Sequence, residues 1–229
     1  DMFVADYDMD RILLSIQVIT GVKVVPGKTL VILDEIQEVE RGLHSLKYFY
    51  EKIPECHVMV AGSLLGITLR KGESFPVGKV DILNMYPMNF PEFLDATGNQ
   101  ELNGIICSRE WKVIDLMKDK LENLLRQYHF VGGMPNVVSK YVENGDVHEV
   151  RREQEAIMDA YRRDISKHTT EREAIRIGQV LDSLPSQLAK ENKKFIYGAV
   201  RKGARAADFE LAIQWLVDAG IVHRVPRIS

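Results

Sequence analysis

The sequence is poor in cysteine and has no long apolar run. Its two cysteines, Cys56 and Cys107, are far apart and lack the spacing of a metal site. Isolated thiols form no disulfide framework, which is typical of proteins in a reducing cytoplasm. The longest uncharged stretch, Val58 to Leu69, is interrupted by glycines and is shorter than the roughly 18 apolar residues that a membrane span needs. These absences predict a cytoplasmic location without membrane contact.

The sequence also lacks an excess of charge of either sign. It has 30 lysines and arginines against 33 aspartates and glutamates, which gives a formal net charge of −3. This balance does not favour a chain whose whole surface binds a polyanion. Hydrophobic residues make up 45% and charged residues 28% of the chain, which is the composition of a folded globular protein. A length of 229 residues corresponds to one or two domains.

The first part of the chain alternates helical and strand-like segments. Apolar residues recur at helical spacing over Arg11 to Thr20 and Gly42 to Lys52, which predicts two helices. Uninterrupted apolar runs at Thr29 to Leu33 and His57 to Ala61 are typical of strands buried on both faces of a parallel sheet. A third strand is predicted over Lys79 to Met85. The pattern therefore predicts an α/β fold class with a parallel sheet.

The remainder of the chain is predicted to be mainly helical. The spacing of three helices followed by an edge strand near the end is typical of a winged helix-turn-helix. We therefore predict a partial α/β core over residues 1–104, a helical segment over 105–170 and a winged-helix domain over 171–229. The predicted elements are helices over Ser108 to Tyr128 (with Ser108 as N-cap), Pro135 to Asn144, Val147 to His168, Glu173 to Lys190, Phe195 to Arg201 and Ala206 to Ala219, then a strand over Ile221 to Val225.

Two adjacent acids, Asp34 and Glu35, give the sharpest chemical signal. They follow an apolar run, and a buried parallel strand delivers such residues to the ligand-binding edge of its sheet. In P-loop ATPases one acid there holds the magnesium shell, while a neighbouring residue orients the attacking water. Asp34 is then the metal-shell acid and Glu35 the base. The alternative is a strand that simply ends in acids at the surface.

Ser63 occupies the corresponding place after the next predicted strand. A small hydroxyl side chain there can sense the γ-phosphate of a nucleotide or hold the attacking water. A turn serine or a helix cap is the alternative interpretation.

The chain has no phosphate-binding loop. Gly27-Lys28-Thr29 is similar to the end of the pattern G-x-x-x-x-G-K-[ST], but that pattern requires glycine at position 22, which is valine here. A genuine loop also follows a strand and opens a helix, whereas Thr29 begins a predicted strand. Lys28 is therefore not a phosphate-binding lysine. Either the acid pair does not serve a nucleotide, or the loop lies before Asp1.

Five motifs in order carry a resemblance to a known family. They are Thr29-Leu-Val-Ile-Leu-Asp-Glu-Ile-Gln37, Ala61-Gly-Ser-Leu-Leu-Gly66, Ser74-Phe-Pro-Val-Gly-Lys79, Tyr86-Pro-Met-Asn-Phe-Pro-Glu-Phe-Leu94 and Gly132-Gly-Met-Pro135. The set resembles bacterial and archaeal AAA-type P-loop ATPases, which have an ATPase core, a winged-helix region and a C-terminal domain of unknown function. The resemblance implies ATP and Mg²⁺ as ligands, Asp34 and Glu35 as the second nucleotide motif and Ser63 as the sensor. Lys79 stands where relatives often have arginine.

The resemblance also implies how the sheet is built and what is missing from it. The family's phosphate loop is expected before Asp1, and its C-terminal domain after Ser229, so the chain is expected to be a fragment. In AAA-type cores the phosphate-loop strand lies between the strand that precedes Ser63 and the strand predicted over 80–85. Without it, we expect either a strand supplied from elsewhere or a distorted core. Hydrolysis is expected to switch the helical segment and the winged helix between arrangements.

Two groups of basic residues are candidates for binding anions. Arg162 or Arg163 could reach the γ-phosphate, in cis or from a neighbouring subunit, although a solvated helix face is the simpler interpretation. The second group surrounds the predicted winged-helix turn and is a candidate for DNA backbone contact. The segment from Ala206 to Gly220 has no lysine or arginine, which favours domain coupling, a protein partner or self-association instead. A non-enzymatic DNA- or protein-binding adaptor is therefore the alternative function. The second group comprises Lys190, Lys193, Lys194, Arg201, Lys202 and Arg205.

Overall fold

The computed structural model describes residues 3, 6–62, 76, 78–192 and 194–226. The chain divides into two compact units. The first unit combines Asp1–Ile82 with Glu171–Ser229, and the second unit is Leu83–Thr170. The structure is mostly helical with a small parallel sheet, so the α/β class is confirmed in this coarse form.

The N-terminal part of the first unit contains both strands of the sheet. Its elements are α1 (Met9–Thr20), β1 (Leu30–Leu33), α2 (Gly42–Lys52) and β2 (His57–Val60). All four lie where the hydrophobic pattern predicts them. The strands pair in parallel, with Leu30 opposite His57 and Leu33 opposite Val60.

The expectation that both strands are buried on two faces is wrong in the described structure, because only one face of their sheet is covered. Val31 is buried, and Leu33, Val58 and Val60 also pack on a core formed by α1 and α2. Leu30, Ile32 and Met59 project to the other face because side chains alternate along a strand, and they are 49%, 61% and 53% exposed. The buried residues of the core beneath the sheet include Ile12, Ile16, Leu43, Leu46 and Phe49.

The predicted strand over Lys79 to Met85 is not formed. Residues 79–85 have no strand structure, and the sheet in the described part of the chain contains β1 and β2 alone. A strand is stable only when a neighbour satisfies its backbone groups, and no described strand lies beside this segment. β2 is therefore not paired with residues 80–85, and no described strand occupies the position next to β2 that is expected for a phosphate-loop strand.

The C-terminal part of the first unit is helical. It consists of α9 (Glu171–Leu188), α10 (Tyr197–Val200) and α11 (Ala206–Asp218), and α9 packs against α11. The three helices lie at the predicted positions, although α10 is shorter than predicted. The predicted edge strand over Ile221 to Val225 is wrong, because residues 221–226 are irregular and no described strand is available to pair with them.

The second unit is an all-helical body in its described residues. One core contains Phe93, Val131, Val137, Val138 and Val150, and a second contains Leu94, Leu102 and Leu124. The helices are α3 (Phe90–Ala96), α4 (Gln100–Ser108), α5 (Trp111–Leu116), α6 (Lys118–Val131), α7 (Pro135–Asn144) and α8 (Val147–His168).

Two of the sequence motifs meet inside the second unit. The Met88 N–H donates to the Gly133 carbonyl at 2.7 Å, and the Tyr128 hydroxyl donates to the Met88 carbonyl at 2.8 Å. A Cβ on Gly133 would lie 2.1 Å from the Met88 oxygen. Glycine at 133 is therefore required by the close approach of two backbone segments.

The predicted helix from Ser108 to Tyr128 is wrong at its start. Ser108 is the last residue of α4, not an N-cap, and its hydroxyl donates to the Ile105 carbonyl. Arg109 then adopts the left-handed conformation, with φ of 57°. This residue ends one helix, and a further joint at Met117 separates α5 from α6.

Candidate functional site

The acid pair lies where β1 ends, beside the end of β2. The Ala61 N–H donates to the Leu33 carbonyl at 2.9 Å, and the Ile36 N–H donates to the Ala61 carbonyl at 3.2 Å. These two hydrogen bonds hold the Asp34–Glu35 turn against the end of β2. Ser63 lies outside the described residues, so its predicted place near the acids stays a prediction.

Glu35 has a backbone conformation that is unfavourable for a residue with a Cβ. Its φ and ψ are 49° and 44°, in the left-handed region, which costs about 1–2 kcal/mol for a non-glycine residue. The Glu35 N–H donates to Asp34 Oδ1 at 3.1 Å, and a short 3-10 turn, Ile36–Glu38, follows. Such outliers are frequent at functional sites. Here the turn fixes the direction in which the Glu35 side chain leaves the backbone.

Both carboxylates of the pair are exposed to solvent. Neither forms an ion pair with a described residue. The one side-chain contact that the structure gives to Glu35 comes from Gln37, whose amide Nε2 donates to Glu35 Oε2. The acids are therefore accessible, and their charge is not neutralised by a neighbouring cation in the described part of the chain.

Gln37 was missed by sequence reasoning, although it is the last residue of the motif that begins at Thr29. Residues two positions apart share no face of a regular helix, so spacing alone gave no reason to connect it with Glu35. Its second amide atom, Oε1, is buried and has no hydrogen-bond partner. Leaving a buried polar atom unpaired costs about 1–3 kcal/mol.

The donor chemistry of the pair fits Mg²⁺. Carboxylate oxygens are preferred ligands of this cation, which one or two protein carboxylates usually hold together with substrate phosphates and water. No group of three or more histidine, cysteine, aspartate or glutamate side chains suited to a metal occurs among the residues that the structure describes. The arrangement thus suits a cation brought in with a phosphate ligand better than a closed protein cage.

Lys79, at the position where the resembling family often has arginine, binds a carboxylate of α2. Its ammonium forms an ion pair and hydrogen bond with Glu51. That hydrogen bond lowers the pKa of the Glu51 carboxyl below its ordinary value. In this structure the lysine therefore tethers the segment before residue 80 to α2.

The predicted phosphate arginines lie on α8, in the second unit. Arg162 and Arg163 are both exposed, and Arg162 Nη1 lies 3.3 Å from Asp159 Oδ1 one helical turn away. The acid pair belongs to the first unit. The role of these arginines toward a phosphate stays a prediction.

One arginine of the predicted DNA-contacting cluster lies near an acid of α11. The guanidinium of Arg201 is 4.0 Å from Asp208 Oδ1 and 5.6 Å from the centre of the Phe209 ring. Lys190, Lys194 and Lys202 are exposed. Lys193 lies outside the described residues.

A polar contact ties the residues after α11 to the helix. The Tyr197 hydroxyl donates to Glu210 Oε2 at 2.8 Å, and Arg224 pairs with the other carboxylate oxygen. Hydrogen bonds from Tyr197 and Arg224 lower the pKa of Glu210, and the same carboxylate raises the pKa of Tyr197.

Comparisons with known proteins match two separate parts of the chain. Residues 3–94 match a family model described as an AAA domain, and residues 122–229 match one described as a domain of unknown function (DUF8612). No curated protein and no solved structure matches the chain. None of the helices that the structure describes has the length and apolarity required for crossing a bilayer. The segment that holds both strands and the acid pair is thus supported as an AAA-type, P-loop NTPase-like domain over residues 3–94.

Proposed function

We propose that this chain contributes the acidic half of an ATP-hydrolysing site. The observation that carries the proposal is the exposed Asp34–Glu35 turn at the joined ends of two parallel strands, inside the segment that matches an AAA domain. Ligands of open α/β sheets bind outside the carboxyl ends of the strands, which is where this turn lies.

Each side chain has a distinct role in the proposed reaction. The Asp34 carboxylate holds the magnesium shell, and Glu35 orients the attacking water and accepts its proton. Ser63 contacts the γ-phosphate or the water, and Arg162 or Arg163 adds positive charge at the phosphate. Mg²⁺ held through Asp34 would supply positive charge that stabilises the reacting phosphates.

The phosphate-binding loop comes from a segment outside residues 1–229 in this proposal. No G-x-x-x-x-G-K-[ST] pattern occurs in the 229 residues. Parallel sheets are normally covered on both faces, whereas Leu30, Ile32 and Met59 form an uncovered apolar face. A strand pairing with the edge of β2 that no described strand occupies, followed by a helix on this face, would complete the sheet and bring the loop to the acid pair.

The proposal extends to the parts of the chain that respond to hydrolysis. The sheet-bearing part of the core predicted over 1–104 is the nucleotide module, and the helical segment over 105–170 and the helices of 171–229 change arrangement with the state of the nucleotide. Protein contact or self-association through α11 is favoured over DNA contact, because Asp208 already compensates part of the charge of Arg201.

Glu35→Gln tests the proposal in the protein that also carries the phosphate loop. Loss of a general base lowers turnover by about 10²–10⁴-fold, whereas the amide keeps the size of the side chain and should preserve ATP binding. Phosphate release and equilibrium ATP binding are measured side by side. Glu40→Gln is the matched control, since Glu40 is an exposed acid of the same loop. Normal turnover in Glu35→Gln would remove Glu35 from the mechanism.

A further inference from the structure

We infer that Gln37 is a positioning residue that holds the Glu35 carboxylate in its working orientation, an inference that rests on the proposed function. The contact is direct: Gln37 Nε2 donates to Glu35 Oε2. Because Oε2 accepts this bond, Oε1 of Glu35 remains available to take a proton from water.

The part of the chain that carries Gln37 is firmly anchored. The preceding residue, Ile36, is 1% exposed and belongs to the core under the sheet, and its N–H is bonded to Ala61 at the end of β2. Glu35 itself is exposed and has a long, rotatable side chain. A donor from an anchored turn restricts that side chain, and catalytic groups need such support to stay in productive geometry.

The unpaired carbonyl oxygen of Gln37 is evidence that the contact between its amide nitrogen and Glu35 has a role. Oε1 is buried without a partner, so the amide is unfavourable there for folding. Methionine has nearly the same length and shape and would leave no unpaired atom. The favourable contact that the amide makes in the described structure is the one to Glu35, which explains an amide at this position through the site rather than through packing.

Gln37→Met separates the effect of the amide on Glu35 from its effect on the stability of the fold. We expect kcat to fall about 10–100-fold, as for a misplaced catalytic group, with the KM for ATP unchanged. The Tm of the protein without nucleotide should stay the same or rise, because the unpaired carbonyl is gone. Gln17→Met is the matched control, since Gln17 is another half-buried glutamine of the same unit; it should leave kcat unaltered.

Two further variants keep the inference falsifiable. Gln37→Glu retains the length but offers no donor to Glu35, so its kcat should fall at least as far as that of Gln37→Met. The double variant Glu35→Gln with Gln37→Met should be no slower than Glu35→Gln alone, because the two residues act as a unit.

The outcomes distinguish this inference from the proposed function. Full turnover in Glu35→Gln would remove the catalytic proposal altogether. Loss of turnover in Glu35→Gln with normal kcat in Gln37→Met and Gln37→Glu would overturn only the role of Gln37. A fall in Tm in Gln37→Met with kcat unaltered at temperatures where the protein is folded would make Gln37 a packing residue.

Discussion

The two units differ in how completely their central elements are covered by other parts of the chain. In the second unit, Phe93, Val131 and Val150 are each at most 1% exposed, and helices surround them. In the first unit, Val31 of β1 is buried, whereas its neighbour Ile32 is 61% exposed. The helical unit also exposes apolar side chains, such as Trp111 at 73% and Leu116 at 80%, but helices satisfy their backbone groups internally, whereas the sheet presents an apolar face and an edge that no described strand occupies. The unpaired edge therefore marks the sheet as a place where a further strand can pair.

The largest expected effect tests whether the helical unit is as closely packed as this comparison requires. Gly133→Ala places a Cβ against the Met88 oxygen and should disrupt the two hydrogen bonds of Met88, which lowers the free energy of unfolding by about 3 kcal/mol. Chemical denaturation, with hydrogen exchange of α3, α6 and α7, measures the loss.

Gly104→Ala is the matched control for this substitution. Gly104 lies inside α4 with nothing within 4 Å of the added Cβ, so alanine should raise the stability by about 0.5–1 kcal/mol. Equal effects of the two substitutions would show that residues 88 and 133 are not in close backbone contact.

A pair of strand substitutions tests the difference between the two faces of the sheet. Val31→Thr buries a hydroxyl among apolar side chains and should cost about 1–3 kcal/mol. Ile32→Thr changes an exposed side chain and should alter stability by no more than about 0.5 kcal/mol. Both variants keep a β-branched residue, so strand propensity is preserved.

The same two substitutions give a sharper test in the protein that carries the phosphate loop. There we expect Ile32→Thr to become destabilising, because the incoming segment covers its face. A continued absence of effect would contradict the proposed covering of the sheet. Urea denaturation of both forms provides the measurement.

The smallest effect concerns the hydrogen bond between Tyr197 and Glu210 in the C-terminal helices of the first unit. Tyr197→Phe removes a hydrogen bond to Glu210, so the pKa of Glu210 should rise toward its ordinary value, as followed by NMR titration of its side chain. Since the folded pKa is lowered, the stabilisation by this carboxylate is present above its unfolded pKa and is lost as the pH falls through the folded one.

Tyr50→Phe provides the control for this titration, because Tyr50 is an exposed tyrosine of α2. An unchanged Glu210 titration in Tyr197→Phe would show that the hydroxyl does not bind this carboxylate in solution.

The sequence was a good guide wherever local pattern decides the structure. The apolar runs before Asp34 and at His57 did form parallel strands, and helical periodicity located α1, α2, α7 and α8 closely. The prediction from sequence failed where the structure depends on the conformation of a single residue or on a neighbouring strand. Arg109 ends α4 by adopting a positive φ, which its residue type does not predict. The strand predicted over 79–85 has no neighbouring strand among the described residues.

For the candidate site, the sequence by itself determined that two acids follow an apolar strand, because a continuous apolar run ends in Asp34-Glu35. Only the tertiary structure decided that the end of β2 holds this turn, that Glu35 is left-handed, and that the Gln37 amide reaches its carboxylate. Composition and periodicity report which residues prefer burial. Hydrogen bonds between segments about 25 residues apart depend on loop closure and register, which no local pattern encodes.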